Sequence, residues 1–376
     1  MAESLQLLTG DAQTFVEKVW ASRPSVHRAD PDTLAALLDL DGVDQLLTGS
    51  ALRTPALRLA KDGKVLASSR FTRSGRLGGT ALTGLVDARK VLDLFDDGAT
   101  VVLQGLHRYW PPLTDLIRDL ELTLGHPCQA NAYLTPPSSQ GFALHTDNHD
   151  VFVLQTSGRK LWEIHDGDDR QEVPLEPGTS MYLPAGTPHA ARTQDQASLH
   201  VTVGINQLTW RHLLDTLTKR ALGDDELDAA LPAGYLDDPA VLSTELRPRL
   251  DTLAAAIAAV DPTEVAEGQV QDFLISRPPH LRGGLGDRLA ANEITDETEL
   301  ARRPGSVCLP VADDDRLRVL LGDRELRVPL RLGPAIEHVR AHDRLRPVDL
   351  SPWLDDQSRL VLVRRLVREG LLQVAG

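Results

Sequence analysis

Gly141-Phe142-Ala143-Leu144-His145-Thr146-Asp147, continued by Asp150-Val151-Phe152-Val153-Leu154-Gln155, is the stretch whose reading decides the fold. In extended chain, alternate side chains share a face, so His145 and Asp147 project the same way. An imidazole and a carboxylate side by side are two of the three ligands of a 2-His-1-carboxylate iron site. The third is expected on a later strand that returns beside the first. Tyr182-Leu183-Pro184-Ala185-Gly186-Thr187-Pro188-His189 supplies it, with His189 lying 42 residues past Asp147. Between them short strands are expected at 150–156, 159–165, 173–175 and 179–183. Turn signals separate these at Ser157-Gly158, at Asp166-Gly167-Asp168-Asp169 and at Glu176-Pro177-Gly178. That is enough antiparallel sheet to roll up and carry His189 back over His145. A lone His-x-Asp is a weak signal; followed by this strand run and a Pro-Gly turn into a histidine, it is a strong one. His149 and His165 are competitors, and His149 is a poorer third ligand than His189.

Upstream and downstream of this stretch, Asn131-Ala132-Tyr133-Leu134-Thr135-Pro136-Pro137, Gln140-Gly141-Phe142 and Gly158-Arg159-Lys160-Leu161-Trp162 complete a pattern. With the His145/Asp147 pair it resembles the JmjC-type ribosomal oxygenases, cupin-fold protein hydroxylases dependent on Fe(II) and 2-oxoglutarate. The match covers roughly residues 98–210, with a looser similarity of layout on either side. The resemblance implies Fe(II) on His145, Asp147 and His189, with 2-oxoglutarate and O₂ as cosubstrates. It also places the 2-oxoglutarate lysine at Lys160, 15 residues after His145. The distal carboxylate of that cosubstrate needs a buried cation. Arg159, by strand alternation, faces the other way. Asn131 and Thr202 match positions that contact the same cosubstrate, although either could simply satisfy buried neighbours. His200 shares the interior face with Thr202, to orient a ligand or to pack. Tyr133 alternates with Asn131 and is a candidate for the substrate entrance, whereas Trp162 reads as core.

The bulk properties set limits around this reading. With 376 residues and a hydrophobic share of 41%, two or three domains with real cores are expected. A formal charge of −14 argues against a chain held on nucleic acid by phosphate neutralisation, and suits a basic protein substrate. Only Cys128 and Cys308 are present, without a CxxC pair, which fits a reducing cytoplasm. There is no basic-then-apolar leader and no apolar run of about 18 residues, so a soluble, cytoplasmic protein is expected.

Along the chain, residues 1–97 read as helices and short strands that pack on a barrel. Asp11 caps a helix bearing Phe15, Pro31-Asp32 opens another, and Trp20 to Val26 resembles the segment that first joins the sheet. The Gly-, Ser- and Thr-rich stretch 73–84 reads as a loop, a surface connector rather than a lid. A helix over Val86–Phe95, a strand over 99–104 and a helix from Trp110-Pro111-Pro112 lead into the catalytic core, 98–210. Helices are expected at Leu213–Leu222, Asp225–Leu231 and Thr244–Val260. Their apolar faces, with Leu242, Leu246, Leu250 and Leu253 in one stripe, need a partner; the resemblance makes 211–276 a helical dimerisation region. Beyond Arg277-Pro278-Pro279, a hairpin about Gly322-Asp323-Arg324, helices at Pro334–Ala341 and Gln357–Glu369 and a final short strand resemble a winged-helix-like module over 277–376. Residues 280–376 hold sixteen Arg and sixteen Asp+Glu, a neutral balance that suits a structural or protein-binding role.

The expected fold class is therefore α+β: a double-stranded β-helix (jelly-roll, cupin, JmjC) core, a helical dimerisation region and a winged-helix-like module. The expected function is hydroxylation of a protein side chain, by resemblance an Arg or His of a ribosomal protein, in a homodimer that touches neither membrane nor nucleic acid. The rivals are the same chemistry on a small molecule or biosynthetic peptide, and a non-catalytic cupin that binds or regulates.

Overall fold

The computed structural model describes residues 3–139, 143–167, 169–222, 228–313 and 315–375, and the chain divides into two compact units, Met1–Gln207 and Leu208–Gly376. The segments 1–97 and 98–210 thus fall essentially in the first unit, and 211–276 and 277–376 in the second. Gln140–Phe142 and Asp168, part of the quoted motif and of a turn, lie outside the described residues, as do Asp225–Glu226–Leu227 of an expected helix.

The first unit is built on one sheet. Its strands are β1 (Ser25–Arg28), β2 (Leu57–Lys61), β3 (Lys64–Val65), β6 (Thr100–Leu103), β7 (Cys128–Thr135), β8 (Asp150–Asp166), β9 (Asp169–Leu175), β10 (Thr179–Leu183) and β11 (His189–Ile205). A separate hairpin holds β4 (Thr72–Leu77) and β5 (Thr80–Val86). The sheet order is β1-β10-β8-β11-β7-β6-β2-β3, with β9 paired to β8. All of these pairings are antiparallel.

Two strands serve both layers of the roll. The first half of β8 pairs with β10 and with Ser198–Ile205; its second half pairs with β9 and with His189–Thr193. The turn expected at Ser157-Gly158 is instead a bend inside one 17-residue strand. Gly158 makes the bend possible, with φ at +65° and the Ala197 carbonyl oxygen 1.9 Å from where a Cβ would sit. Likewise, stretch 73–84 is a hairpin, not a loop. Gly78 and Gly79, both at positive φ, form the two-residue turn such a ribbon needs, so the glycines marked a turn between strands.

Period-two alternation sorts the larger layer. Leu57, Leu59, Val101, Leu103, Ala130, Ala132, Phe152, Leu154, Val201 and Val203 face outward into the main core. There they meet Leu5, Leu8, Phe15, Leu34 and, from helix Pro111–Leu124, Leu113, Leu116, Ile117 and Leu120. Each fully buried Leu or Phe contributes about 1.5–3 kcal/mol of transfer free energy. The alternate residues, Arg58, Thr100, Tyr133, Val151, Val153, His200 and Thr202, face into the roll. Asp11, Asp30, Asp39 and Asp87 cap the short helices that close the outer face, each carboxylate accepting from a backbone N–H three residues on.

In the second unit, helices span Trp210–Leu222, Pro239–Ala258 and Pro262–Ile275. Residues 228–231 are not helical, and Pro239–Ala258 starts five residues before the expected Thr244 because Asp238 caps it. That helix has no buried residue; Leu246 and Leu250 are each 46% exposed. Beyond it stand a three-stranded sheet around Arg316–Leu320, helices Gly333–Ala341 and Asp356–Glu369, and a second sheet ending in Leu372–Val374. Leu300, Val319, Ile336, Val363 and Leu366 form their common core. Both cysteines are free, and no described helix is long and apolar enough to cross a membrane.

Candidate metal centre

His189 opens β11 and His145 faces it across an isolated antiparallel bridge, with reciprocal backbone bonds of 2.9 and 3.1 Å. His145 and Asp147 therefore lie on extended chain pinned by that bridge rather than on a regular strand. Ligand atoms of His145, Asp147 and His189 lie within 4.8 Å of one another, and His189 Nε2 is 3.6 Å from Asp147 Oδ2. Among the described residues no other group of three such side chains converges this way.

Both imidazoles are held alike. His145 Nδ1 donates to Ala143 O and His189 Nδ1 to Thr187 O, each at 2.9 Å, and His189 turns its Nε2 to the carboxylate. His189 is only 4% exposed; burial depresses its pKa, and the nearby His145 adds to that, which favours the neutral, ligating form. Two imidazole nitrogens and one carboxylate brought together form the donor set that non-haem iron takes. His145, Asp147 and His189 would be the residues to hold such an ion.

The loop that delivers His189 is clamped. Asp150, fully buried at the start of β8, accepts from Ala185 N at 2.8 Å, from Gln207 Nε2 at 2.8 Å and from the Tyr182 hydroxyl. Tyr182 in turn accepts from Ala21 N, and Gly186 N donates to Asp147 O at 2.8 Å. Segment 147–150 thus fixes loop 184–187, and with it the pitch of His189 against Asp147. The sequence offered Asp150 only as one more aspartate; its role depends on partners 32 to 57 residues away.

His145, Asp147 and His189 line a cavity of about 250 Å³. Lys160 lines it too, 3% exposed, its Nζ donating to Thr135 Oγ1 at 3.0 Å. Burial pushes its pKa down to about 7, because no carboxylate among the described residues compensates the charge. His200 stacks on Tyr133 (ring centroids 5.0 Å apart) and meets Trp162 edge-on at 5.5 Å. Burial, with Lys160 nearby, holds it neutral. His200 Nδ1 and Trp162 Nε1 are buried with no hydrogen-bond partner among the described residues, an arrangement that calls for a polar occupant.

Of the expected site residues, the cavity brings together His145, Asp147, His189, Lys160, His200, Thr202 and Tyr133. Asn131 is not part of the lining; its side-chain oxygen accepts from Gly105 N at 3.0 Å. Tyr133 sits deep in the wall, its hydroxyl bonded to Arg58 and Thr202 and its pKa raised chiefly by burial. His149 lies beside Gly204, its Nδ1 on Asn148 Oδ1, and His165 pairs with Glu163 on the outer face. Arg58, Thr100 and Trp162 line the cavity without having been singled out as site residues. Arg58 is one arginine in an alternating strand, a signal visible only once the face of β2 is known.

A family model described as a JmjC domain matches residues 112–173 and 165–213. The bifunctional lysine-specific demethylase and histidyl-hydroxylase NO66 of Branchiostoma floridae is 36% identical over 170 residues, which is 43% of this chain and 28% of the relative. Ribosomal oxygenase 1 of Rattus norvegicus is 30% identical over 279 residues, 60% of this chain and 46% of the relative. The chain therefore spans less than half the length of these curated relatives. Among solved structures, YcfD, a ribosomal oxygenase from Escherichia coli, covers 98% of this chain and 99% of its own at a TM-score of 0.55 and 21% identity; another YcfD structure is a complex with cobalt and 2-oxoglutarate.

Proposed function

We infer that this chain, which matches a JmjC domain over residues 112–173 and 165–213 and is similar to ribosomal oxygenases, is an Fe(II)- and 2-oxoglutarate-dependent oxygenase that hydroxylates a protein side chain, an Arg or His of a ribosomal protein. One observation carries this reading: a His-Asp-His triad and a buried, uncompensated lysine share one cavity. A non-catalytic binding module needs neither. Iron with 2-oxoglutarate and O₂ supplies the oxidising chemistry that turns C–H into C–OH, with succinate and CO₂ as coproducts.

The chain's own residues hold and orient. His145, Asp147 and His189 present three ligands and leave the opposite side open. Lys160, with Thr135 against its ammonium, meets the distal carboxylate of the cosubstrate, and the charge pair restores the protonated lysine. The orphaned polar atoms of His200 and Trp162 then find partners on that occupant, and Thr202 and Tyr133 close the wall. Val151, Val153, Trp162 and Ala191 keep the remaining surface apolar and dry.

The same reading makes the exposed stripe on Pro239–Ala258 the seam of a homodimer, which light scattering tests directly. The final hundred residues form a winged-helix-like module for structure or protein contact. Arg359, Arg364, Arg365 and Arg368 of its last helix are spent on carboxylates and backbone or amide oxygens. Two unpaired cysteines suit a reducing, cytoplasmic setting. The test is intact-mass comparison of ribosomal proteins from cells with and without this chain. One ribosomal protein lighter by one oxygen mass in its absence supports the reading; an unchanged set refutes the substrate.

A further inference from the structure

The chain's charge is far from evenly spread. Residues 51–91 carry nine of its forty Lys and Arg but only two of its fifty-four Asp and Glu, Asp62 and Asp87: a local balance of +7 in a protein of −14. This segment contains the β4–β5 hairpin, which pairs with no described strand of the barrel sheet; an isolated bridge ties its Leu85 to Arg53. Lys64, Arg70, Arg73, Arg76, Arg89 and Lys90 are all exposed. At the tip, Gly78 and Gly79 have nothing within 4 Å of a notional Cβ.

The cations here bond chiefly to carbonyls. The Arg53 guanidinium donates twice to Thr83 O, at 2.8 and 2.6 Å, and Lys90 Nζ donates to Thr72 O at 2.9 Å. The one ion pair among the described residues of the segment joins Lys61 to Asp97, a carboxylate that also feels Arg70. Among the described residues Lys64, Arg73 and Arg76 have no carboxylate partner. The patch also reaches the active site, since the Asp62–Gly63 turn lies against Ala143, two residues before His145.

We infer that the β4–β5 hairpin and its flanks are a docking surface for RNA that lies beside the protein substrate. A polyanion fits because each uncommitted guanidinium offers a planar fork to phosphate oxygens. A lipid surface fits poorly: the only aromatic in 51–91, Phe71, is 1% exposed, so the ribbon has no interfacial anchor. The choice of RNA among polyanions rests on the ribosomal-substrate reading, whereas the surface itself does not. Net charge alone concealed the patch, because the rest of the chain outweighs it.

The test uses the full chain without metal or cosubstrate, so that its outcome is independent of the oxygenase reading. Binding of a fluorescent single-stranded RNA of about twenty nucleotides is followed by anisotropy between 50 and 200 mM salt. The triple variant Lys64→Ala/Arg73→Ala/Arg76→Ala is compared, its fold checked by thermal melting. None of these three residues lines the cavity. The parent should bind, and the variant should bind at least tenfold more weakly at 50 mM salt. Its log–log salt slope should be shallower by about two, from about 0.7 per lost phosphate contact. Absence of salt-dependent RNA binding, equal binding by the variant, or tighter binding to poly-glutamate or phosphatidylserine vesicles than to RNA would each overturn the inference.

Discussion

Lys160 is a buried cation whose charge is half lost near neutral pH, with its pKa at about 7 against an ordinary value near 10.5. Two consequences follow with opposite signs. In the unliganded protein, the unfolded chain binds the proton between pH 7 and 10 and the folded chain does not. Stability from this group therefore rises with pH across that window. For 2-oxoglutarate the protonated form is the binding form. Affinity should be flat below pH about 7 and fall by up to tenfold per unit above it, with a proton taken up on binding at pH 8. Calorimetry in buffers of different ionisation enthalpy measures both. An affinity that holds constant from pH 6 to 9 would move Lys160 away from the cosubstrate.

Asp150 offers a second test on the same scale. Asp150→Asn keeps the shape but turns a double acceptor into a group that cannot accept from Ala185 N and also from Tyr182 and Gln207. The His189 loop should lose its fixed pitch, and Co(II) affinity should fall at least tenfold. Tyr182→Phe, which leaves the Ala185 bond in place, should lower the melting temperature with little effect on the metal. Equal loss of metal in the two variants would reduce Asp150 to ordinary packing.

At the scale of elements, the motif His145-x-Asp147 with His189 was legible because ligand chemistry restricts residue type and spacing, and the structure does gather the three donors. Alternation also put His200 and Thr202 on one inward face, and both line the cavity, whereas Trp162, expected in the core, lines it too. The continuity of β8 was not legible. A Ser-Gly pair punctuates most chains, and only the partner strand reveals that Gly158 bends a strand without ending it. Hairpin β4–β5 was missed for the related reason that four glycines in a short stretch dilute the alternation of the strands. Arg58 and Asp150 were invisible because their meaning depends on contacts distant in sequence. Gly158→Ala probes the bend. With φ at +65° and a carbonyl oxygen 1.9 Å from the new Cβ, it should destabilise the fold by about 3 kcal/mol or more by chemical denaturation. A loss under about 0.5 kcal/mol would mean that the two layers do not depend on this bend.

Over the whole molecule, the first unit concentrates the chemistry. Its larger layer buries one face under helices and turns the other, studded with polar groups, towards the metal ligands. The second unit contributes no residue to the described cavity lining and carries the exposed helical stripe. Charge is unevenly spread along the sequence: residues 51–91 carry a balance of +7 in a chain of −14.

The central claim is that one cavity holds a divalent metal on His145, Asp147 and His189 and a 2-oxo dicarboxylate on Lys160. It is tested most directly by titrating Co(II), then 2-oxoglutarate, into the parent protein, His189→Ala and Lys160→Ala. The account predicts that the parent binds both, that His189→Ala loses the metal and with it tight 2-oxoglutarate binding, and that Lys160→Ala keeps the metal while binding 2-oxoglutarate at least a hundredfold more weakly. Parent-like metal binding by His189→Ala, or parent-like 2-oxoglutarate binding by Lys160→Ala, would contradict it.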